Sequence, residues 1–389
     1  MIENTKPLAK SYDAIVIGAR CAGASTAMLL ARHGARVLMV DRAPYGSDTL
    51  STHALMRGAV MQLQNWGVLP QIIAAGTPPI RSTSFIYGER PPIDITIKPS
   101  LGIPALYAPR RMVLDSELAT SACHAGVDCR FGMSLTGLLR GRGGVVSGAS
   151  LRDRHGVIHD VEAEMVIGAD GRDSLVAREA GAETLKRASN TSYCIYGYFK
   201  GLHNRGYRWH WGEHCGGGII PTNDGNSNVF LSIRPGDRQR FRGVMREQGF
   251  RAALAQLMPQ LAQELEGAQL TGRLVAFAGA PGHMRQACGY GWALVGDAGY
   301  FKDPLTAHGI TDALRDAQLL ADSWAKGRLD DYARTRDTIS RDIFRITDEI
   351  AGLDYSLGHL AELHESLQLA IKANQNWMAE HLMTTAVAA

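Results

Sequence analysis

A chain of 389 residues exceeds what one ordinary hydrophobic core supports, and 45% hydrophobic with 20% charged residues describes a globular protein of two packed domains or one elaborated one, not a disordered or fibrous chain. Its 41 Lys and Arg against 38 Asp and Glu leave a net charge of +3 with no basic block, which excludes the footprint of a nucleic-acid or anionic-membrane binder. No apolar run approaches the roughly 18 residues that span a bilayer, and the start Met-Ile-Glu-Asn-Thr-Lys lacks the apolar core of a signal peptide.

The first elements are the most regular. Tyr12 to Gly18 is a short apolar run ending in Gly, the pattern of a buried parallel strand. Ala22 to His33 reads as a helix stopped by Gly34, and Arg36 to Val40 as a second buried strand ending at Asp41-Arg42. Together they predict a βαβ unit. Residues 54–75 read as helical, 81–100 as short antiparallel strands, 114–124 as a helix, and 129–170 as strands joined by Gly-rich turns. Residues 192–235 read as a second antiparallel sheet, 237–268 as helical, Ala293 to Gly296 as a buried strand and about 311–324 as a helix. Beyond 329, Ile339, Ile343, Ile346 and Ile350 form one helical stripe. Leu360, Leu363, Leu367, Ile371 and Met378 form another, after a break at Gly352 and Gly358. Packing or a homodimer contact is the expected role of these two helices.

The turn after the first strand is Gly18-Ala19-Arg20-Cys21-Ala22-Gly23, a variant of the dinucleotide pattern G-x-G-x-x-G with Arg20 at the middle Gly. Gly18 permits the tight turn, and Gly23 lets the helix approach the strand. The helix start at Arg20, Cys21 and Ala22 offers free N–H groups and a positive dipole end to a pyrophosphate, with the Arg20 guanidinium in addition. Asp41, 23 residues past Gly18, stands where a carboxylate accepts from ribose hydroxyls, beside Arg42. A bound dinucleotide is expected, with a purely structural turn as the competing reading.

Four later segments identify the dinucleotide by resemblance. Val166-Ile-Gly-Ala-Asp170-Gly171-Arg172 resembles the Asp-Gly motif of FAD-dependent aromatic hydroxylases, and Leu294-Val-Gly296-Asp297-Ala298 resembles their Gly-Asp motif. Asp303-Pro304 through His308-Gly309-Ile310-Thr311 is similar to the loop and helix start under their flavin ring. Arg111-Met-Val-Leu114-Asp115 is similar to their Arg-x-x-Leu-Asp helix. The chain, from residue 12 to about 325, resembles the para-hydroxybenzoate hydroxylase-type, single-component FAD monooxygenases.

The resemblance implies an α/β fold: a Rossmann-like FAD-binding domain with an inserted antiparallel β-sheet substrate domain and C-terminal helices. It assigns residues 10–80, 104–190 and 280–328 to the FAD-binding domain, 81–103 and 191–279 to the substrate domain, and 329–389 to the helices. No thioredoxin-like C-terminal domain is expected. The implied cofactor is FAD, held by Gly18, Arg20, Cys21, Ala22, Gly23, Asp41, Arg42, Arg111, Asp170, Gly171, Gly296, Asp297, Pro304, His308, Gly309, Ile310 and Thr311. Asp297 would accept from a ribityl hydroxyl. The 309–311 amides would face the flavin edge that gains charge on reduction. For Asp297 and Asp170 the competing reading is a turn or N-cap acid. The implied reaction uses NADH or NADPH to reduce the flavin, and a C4a-hydroperoxide to pass one oxygen of O2 to an aromatic or polycyclic small molecule.

Candidate substrate residues are Tyr196, Tyr198, Trp209 and Trp211, with His210 as a weak candidate base. On an extended strand the two Trp share one face and His210 takes the other. Gly216-Gly217-Gly218 suggests a roomy pocket nearby. No metal site is expected, because His155 and His159 flank a Gly in a strand-like stretch, and His210, His214 and Cys215 are the only other close set considered. The six cysteines include no C-x-x-C pair, which fits a reduced cytoplasmic enzyme.

Three other functions compete. A flavin-dependent halogenase carries Trp-x-Trp-x-Ile-Pro, from which Trp209-His-Trp211-Gly-Glu departs. A geranylgeranyl reductase-type enzyme shares the nucleotide fingerprint and transfers hydride to an alkene. A non-enzymatic flavin-binding regulator is also compatible with the fold.

Overall fold

The structure, a computed structural model, describes residues 7–49, 51, 53–241 and 243–382. The Met1–Lys6 start and residues 383–389 of the C-terminal segment lie outside them.

The first sheet is built on β1 (Ser11–Ile17), which lies parallel to β2 (Val37–Asp41) on one side and β8 (Ile158–Gly168) on the other. β5 (Asp128–Phe131) continues it past β2, and β17 (Trp292–Leu294) with β16 (Cys288–Gly289) continues it past β8. A hairpin of β6 (Ser134–Arg140) and β7 (Val146–Arg152) joins along β8. Ala14 and Val16 pack toward α1 (Cys21–Arg32), α4 (Arg111–His124) and α8 (Gly309–Ala325). Ile15 and Ile17 pack toward the hairpin and α5 (Leu175–Ala180). A strand buried on both faces has no polar side, and so β1 and β2 read as unbroken apolar runs.

The second sheet has the order β14-β10-β13-β12-β11-β3-β4. Its strands are β3 (Ser82–Tyr87), β4 (Ile93–Thr96), β10 (Tyr193–Lys200), β11 (Tyr207–Gly212), β12 (Cys215–Pro221), β13 (Asn226–Ile233) and β14 (Gln269–Phe277). All neighbours are antiparallel except β3 and β11, which pair in parallel with Trp209 opposite Phe85 and Trp211 opposite Tyr87. Residues 82–96 thus complete a sheet whose other strands begin only at Tyr193. Its outer face is covered by α6 (Glu247–Leu257) and α7 (Pro259–Glu264). A small third sheet joins β9 (Thr184–Arg187), β15 (His283–Arg285) and β18 (Tyr300–Phe301).

Some expected helices divide where the backbone demands it. The 54–75 segment forms α2 (Arg57–Asn65) and α3 (Leu69–Ala74), separated at Gly67, whose φ is +74°. The 237–268 segment begins as a 3₁₀ turn and splits between α6 and α7 at Met258 (φ −144°, ψ 69°), because the residue before Pro259 is disfavoured in the α region. The tail forms α9 (Leu329–Ala351) on α8 and α10 (Leu357–His381) on α9. Gly358 lies inside α10 and not at the break, because the Ser356 hydroxyl accepts from the His359 amide and starts the helix there.

The cysteines also depart from the expectation of a fully reduced chain. Cys123, in the last turn of α4, is joined to Cys129 of β5 in a disulfide. Cys21, Cys194 and Cys215 are buried thiols. Among the described residues no helix is long and apolar enough to cross a membrane.

Candidate active site

A cleft of about 640 Å³ opens where the C-terminal ends of β1 and β2 meet the N-termini of α1 and α8. Ligands of open α/β sheets bind at such a place. Its first wall is the turn after β1. Gly18 has φ +107°, and a Cβ there would lie 2.4 Å from the Ala169 carbonyl oxygen. At Gly23 a Cβ would lie 1.8 Å from the Gly18 oxygen. Only glycine lets strand, turn and helix come this close. The N-terminus of α1 has no side-chain cap and no acid in its first turn. Asp115 of α4 accepts the Cys21 amide at 3.0 Å while holding Arg111 at 2.9 Å, so α4 fixes the start of α1.

Arg20 and Arg42 line the cleft, and neither makes a salt bridge among the described residues. These two arginines, Arg20 also within the field of Asp115, stand beside the start of α1 and together fit a pyrophosphate. Asp41 lines the cleft as expected, and its carboxylate also has a structural task. Oδ2 accepts the Ala19 amide and Oδ1 the Ala43 amide, each at 2.8 Å, which locks the turn onto the end of β2. Asp170 and Gly171 line the cleft too. The Asp170 carboxylate caps α5, accepting from Ser174 Oγ at 2.5 Å and from the Leu175 amide at 2.7 Å, which is the N-cap role weighed against a ligand contact.

The opposite wall comes from the loop into α8. Asp303 anchors it by accepting from the Ser192 amide (2.7 Å), the Ser192 hydroxyl (2.9 Å) and the Leu305 amide (3.0 Å). Burial lifts this acid to about 6. Ala307 follows in the left-handed region at φ +54°. Pro304, Gly309, Ile310 and Asp297 line the cleft. Burial raises Asp297 above the usual carboxylate range, against the pull of Lys302, Arg111 and Arg172. Gly296, His308 and Thr311 stand behind the wall. A Cβ on Gly296 would lie 2.9 Å from Ala22 Cβ, so this glycine joins the α1 and α8 starts. His308 is buried with both ring nitrogens unpartnered, and burial holds it neutral. It provides no side-chain cap for α8, whose first amides are left to the cleft.

The second sheet places its residues differently from the sequence reading. Trp209 and Trp211 share the inner face, and His210 faces outward. There His210 Nε2 lies 3.3 Å from Glu264 Oε1, which also binds Arg208. The structure therefore does not bring His210 to the cleft. Nor do Tyr196, Tyr198, Trp209 or Trp211 line it. The two Trp are buried against Tyr207, Phe230 and His364. The glycine run makes close packing, not space: a Cβ on Gly216 would lie 2.8 Å from the Trp211 ring, and one on Gly218 2.2 Å from the Arg208 oxygen.

Two residues absent from the sequence reading line the cleft and carry polar chemistry. Lys302 is buried, with its ammonium on Asp312. Burial, then Arg315, lowers it to about 7. His53 is fully buried, has φ +68°, and hydrogen-bonds through Nε2 to the Tyr198 hydroxyl. No periodicity or spacing marks either residue. The only sequence signal for Lys302 was its place before Asp303-Pro304. Among the described residues no group of three His, Cys, Asp or Glu is arranged to hold a metal ion, and His159 pairs with Asp153 at 3.0 Å.

Comparison with known proteins accounts for this cleft. The family model described as "FAD binding domain" matches residues 11–345. The chain belongs to this FAD-binding family. Its domain is of the para-hydroxybenzoate hydroxylase type, and the protein is an FAD-dependent oxidoreductase. Digeranylgeranylglycerophospholipid reductase 2 of Methanothermobacter thermautotrophicus is 29% identical over 347 residues, covering 82% of this chain and 80% of the reductase. Among solved structures, the flavin-dependent brominase Bmp2 superposes with a TM-score of 0.78 at 17% identity, over 96% of this chain and 92% of the brominase. Pseudomonas aeruginosa PqsL, in complex with 2-aminobenzoylacetate, superposes with a TM-score of 0.73 at 17% identity, over 93% of this flavoprotein and all of PqsL. At these identities the two structures share the fold alone.

Proposed function

We propose that this flavoprotein is a monooxygenase that places one oxygen atom of O2 into a compact aromatic molecule, with NADH or NADPH as reductant. Bound FAD supplies the redox chemistry, accepting two electrons from the nicotinamide and delivering them to O2. The chain's own residues position and insulate. Arg20, Arg42 and the start of α1 would hold the pyrophosphate, and Asp41 has lone pairs left that would accept from a ribose hydroxyl. The Gly309 and Ile310 amides, in the cleft wall, would favour a ring edge that becomes anionic on reduction. Asp303 keeps that loop in place.

The observation that carries the choice of substrate is the solid inner face of the second sheet. Trp209 packs on Tyr207 and Phe230, and Trp211 on His364, so this face presents packed aromatic rings, which supports an aromatic ligand beside it. A second reading, hydride transfer to an alkene, is favoured by the 29% identity to an archaeal lipid reductase.

The test is NAD(P)H oxidation by the FAD-loaded protein with a panel of phenols and anthranilate-like aromatics. Oxygen uptake equal to product formed is expected. Turnover of a prenyl lipid under anaerobic conditions, with no aromatic accelerating oxygen uptake, would overturn the proposal in favour of the reductase. A product carrying halide in place of oxygen would overturn it in favour of the halogenase.

A further inference from the structure

Besides the apolar stripe expected from the sequence, α9 carries a buried polar one. Tyr332, Arg336, Ser340 and Thr347 fall on one side of the helix and are all fully buried. Three of them follow the segment 294–306 along its length. The Tyr332 hydroxyl donates to the Leu294 carbonyl at 2.5 Å, the Ser340 carbonyl accepts from the Tyr300 hydroxyl at 3.3 Å, and the Thr347 and Thr306 hydroxyls share a hydrogen bond at 3.1 Å. Asp297, Phe301, Lys302 and Pro304 of this same segment line the cleft. The Ser340 hydroxyl also accepts from Arg315 of α8 at 2.8 Å, and Arg315 holds Asp312, the partner of the Lys302 ammonium.

The fourth residue reaches further. Arg336 Nη2 donates to the Arg285 carbonyl at 2.5 Å, and its Nη1 lies close against Gly299, where a Cβ would approach it to 2.7 Å. Arg285 in turn donates its amide to the Gly299 carbonyl at 2.8 Å. Its guanidinium donates to the Ala298 carbonyl at 2.7 Å and to the Arg172 carbonyl at 3.0 Å. Ala298 follows Asp297 and Arg172 follows Gly171, so one guanidinium bridges the Gly-Asp loop and the Asp-Gly loop of the cleft. Two arginines in series thus connect α9 to both loops. Apolar residues alone could dock this helix, and buried polar groups cost stability unless they are bonded. Arg336 even leaves Nη1 without a partner. What the polar stripe adds is direction, because a hydrogen bond weakens steeply when its partners shift, whereas an apolar contact tolerates sliding.

We propose that α9 is a splint of the FAD site. Its polar stripe sets the position of the segment 294–306, and Arg336 is a positioning residue that acts through Arg285 to hold the Asp-Gly and Gly-Asp loops at the spacing FAD requires. The C-terminal helix is then part of the cofactor machinery and not only a packing element. This rests on the cleft being the FAD site and not on which oxidoreductase reaction occurs there.

Single variants of the full chain test this by two readouts, FAD affinity from fluorescence titration and the visible circular dichroism of the bound flavin. Ile343 lies on the same side of α9, is buried, and packs in the apolar core, so Ile343→Ala is the control for lost packing. Arg336→Met should weaken FAD binding by about tenfold and change the flavin dichroism. Tyr332→Phe should move both readouts in the same direction by a smaller factor. Arg336→Lys, which can still donate to the Arg285 carbonyl, should recover part of both. Ile343→Ala should lower the melting temperature and leave both flavin readouts as in the wild type. Should Arg336→Met not fold, Arg285→Met takes its place, with the same expectation. Wild-type affinity and dichroism in the arginine variant overturn the splint, and so do equal losses in Ile343→Ala. Failure of every aromatic and prenyl substrate would count against the proposed function instead, and the flavin readouts would still decide the splint.

Discussion

The carboxylate of Asp115 accepts the backbone amide of Cys21 at 3.0 Å and, on the same side chain, holds the Arg111 guanidinium at 2.9 Å. One buried acid therefore sets both the start of the nucleotide-facing helix and a cation in the cleft wall. Removing it leaves Arg111 buried and unpaired, and the loss of one member of a buried ion pair costs about 3–5 kcal/mol. Asp115→Asn should melt well below the wild type and bind FAD at least tenfold more weakly. Differential scanning calorimetry and flavin fluorescence titration check both. An unchanged FAD affinity would show that α4 does not govern the cleft.

Arg20 and Arg42 are read as the pyrophosphate's counter-charges. Each Ala substitution should weaken FAD binding by roughly 10- to 150-fold, the scale of a charge-assisted contact of about 1.5–3 kcal/mol. The salt dependence of binding should flatten in the double variant. Isothermal titration at two ionic strengths decides. A parallel salt slope in wild type and double variant would remove both arginines from phosphate binding.

Several buried histidines make the fold acid-sensitive. Burial depresses His53 to about 3 and His283 and His364 to about 4. Unfolded, each titrates near 6.5. Between those values the unfolded chain binds protons that the native state refuses. The contribution is therefore complete above about pH 6.5 and shrinks as pH falls, by about 1.4 kcal/mol per pH unit for each histidine. Asp303, lifted to about 6, and Asp115 and Asp297, also raised by burial, act oppositely, while His308, held well below its ordinary value, adds a fourth histidine to the acid-sensitive side. The melting temperature should fall steeply from pH 6.5 to 5. His364→Asn, whose site pairs Nδ1 with Tyr87 at 2.7 Å, should make that fall shallower. A melting temperature constant over this range would contradict the burial assigned to these rings.

The glycine run of β12 offers a direct contrast with a glycine that has open space at its Cβ position. A methyl at Gly217 would meet Met258 Sδ at 2.7 Å and the Phe230 oxygen at 2.8 Å, and one at Gly218 meets backbone at 2.2 Å. At Gly137 nothing lies within 4 Å. Gly218→Ala should lose about 3 kcal/mol or more in urea unfolding, as overpacking against fixed atoms does, whereas Gly137→Ala should change little. Equal stability of the two variants would restore the roomy pocket suggested by the sequence.

The sequence made the nucleotide half legible because its signals are local. An apolar run, a Gly turn, an Ala-rich helix and an acid at the next strand end fall within thirty residues, and the structure assembles them at one cleft. What stayed hidden depends on distant partners. Gly216–Gly218 reads as room for a pocket until Trp211 and Phe230 are placed beside it. Strand alternation put His210 opposite the tryptophans, but only the position of α7, carrying Glu264, shows that its side is the outer one. His53 has no motif at all. Its strained backbone and its bond to a tyrosine 145 residues away exist only in the folded chain.

The parallel pairing of β3 with β11 also constrains how the chain reaches its native state. During synthesis Ser82–Tyr87 emerge long before Tyr207–Gly212, and until then β3 has only β4 to pair with. A two-stranded hairpin is marginal by itself. The N-terminal third must therefore hold an unfilled sheet edge while the ribosome makes the next 120 or so residues, a period of many seconds at ordinary elongation rates of about 5–20 residues per second. His364 of α10, which packs tilted against Trp211 and bonds Tyr87, then covers this seam from near the end of the chain. Truncation before α10 should leave a protein whose first defect is aggregation through the β3–β11 edge, ahead of any loss at the nucleotide cleft.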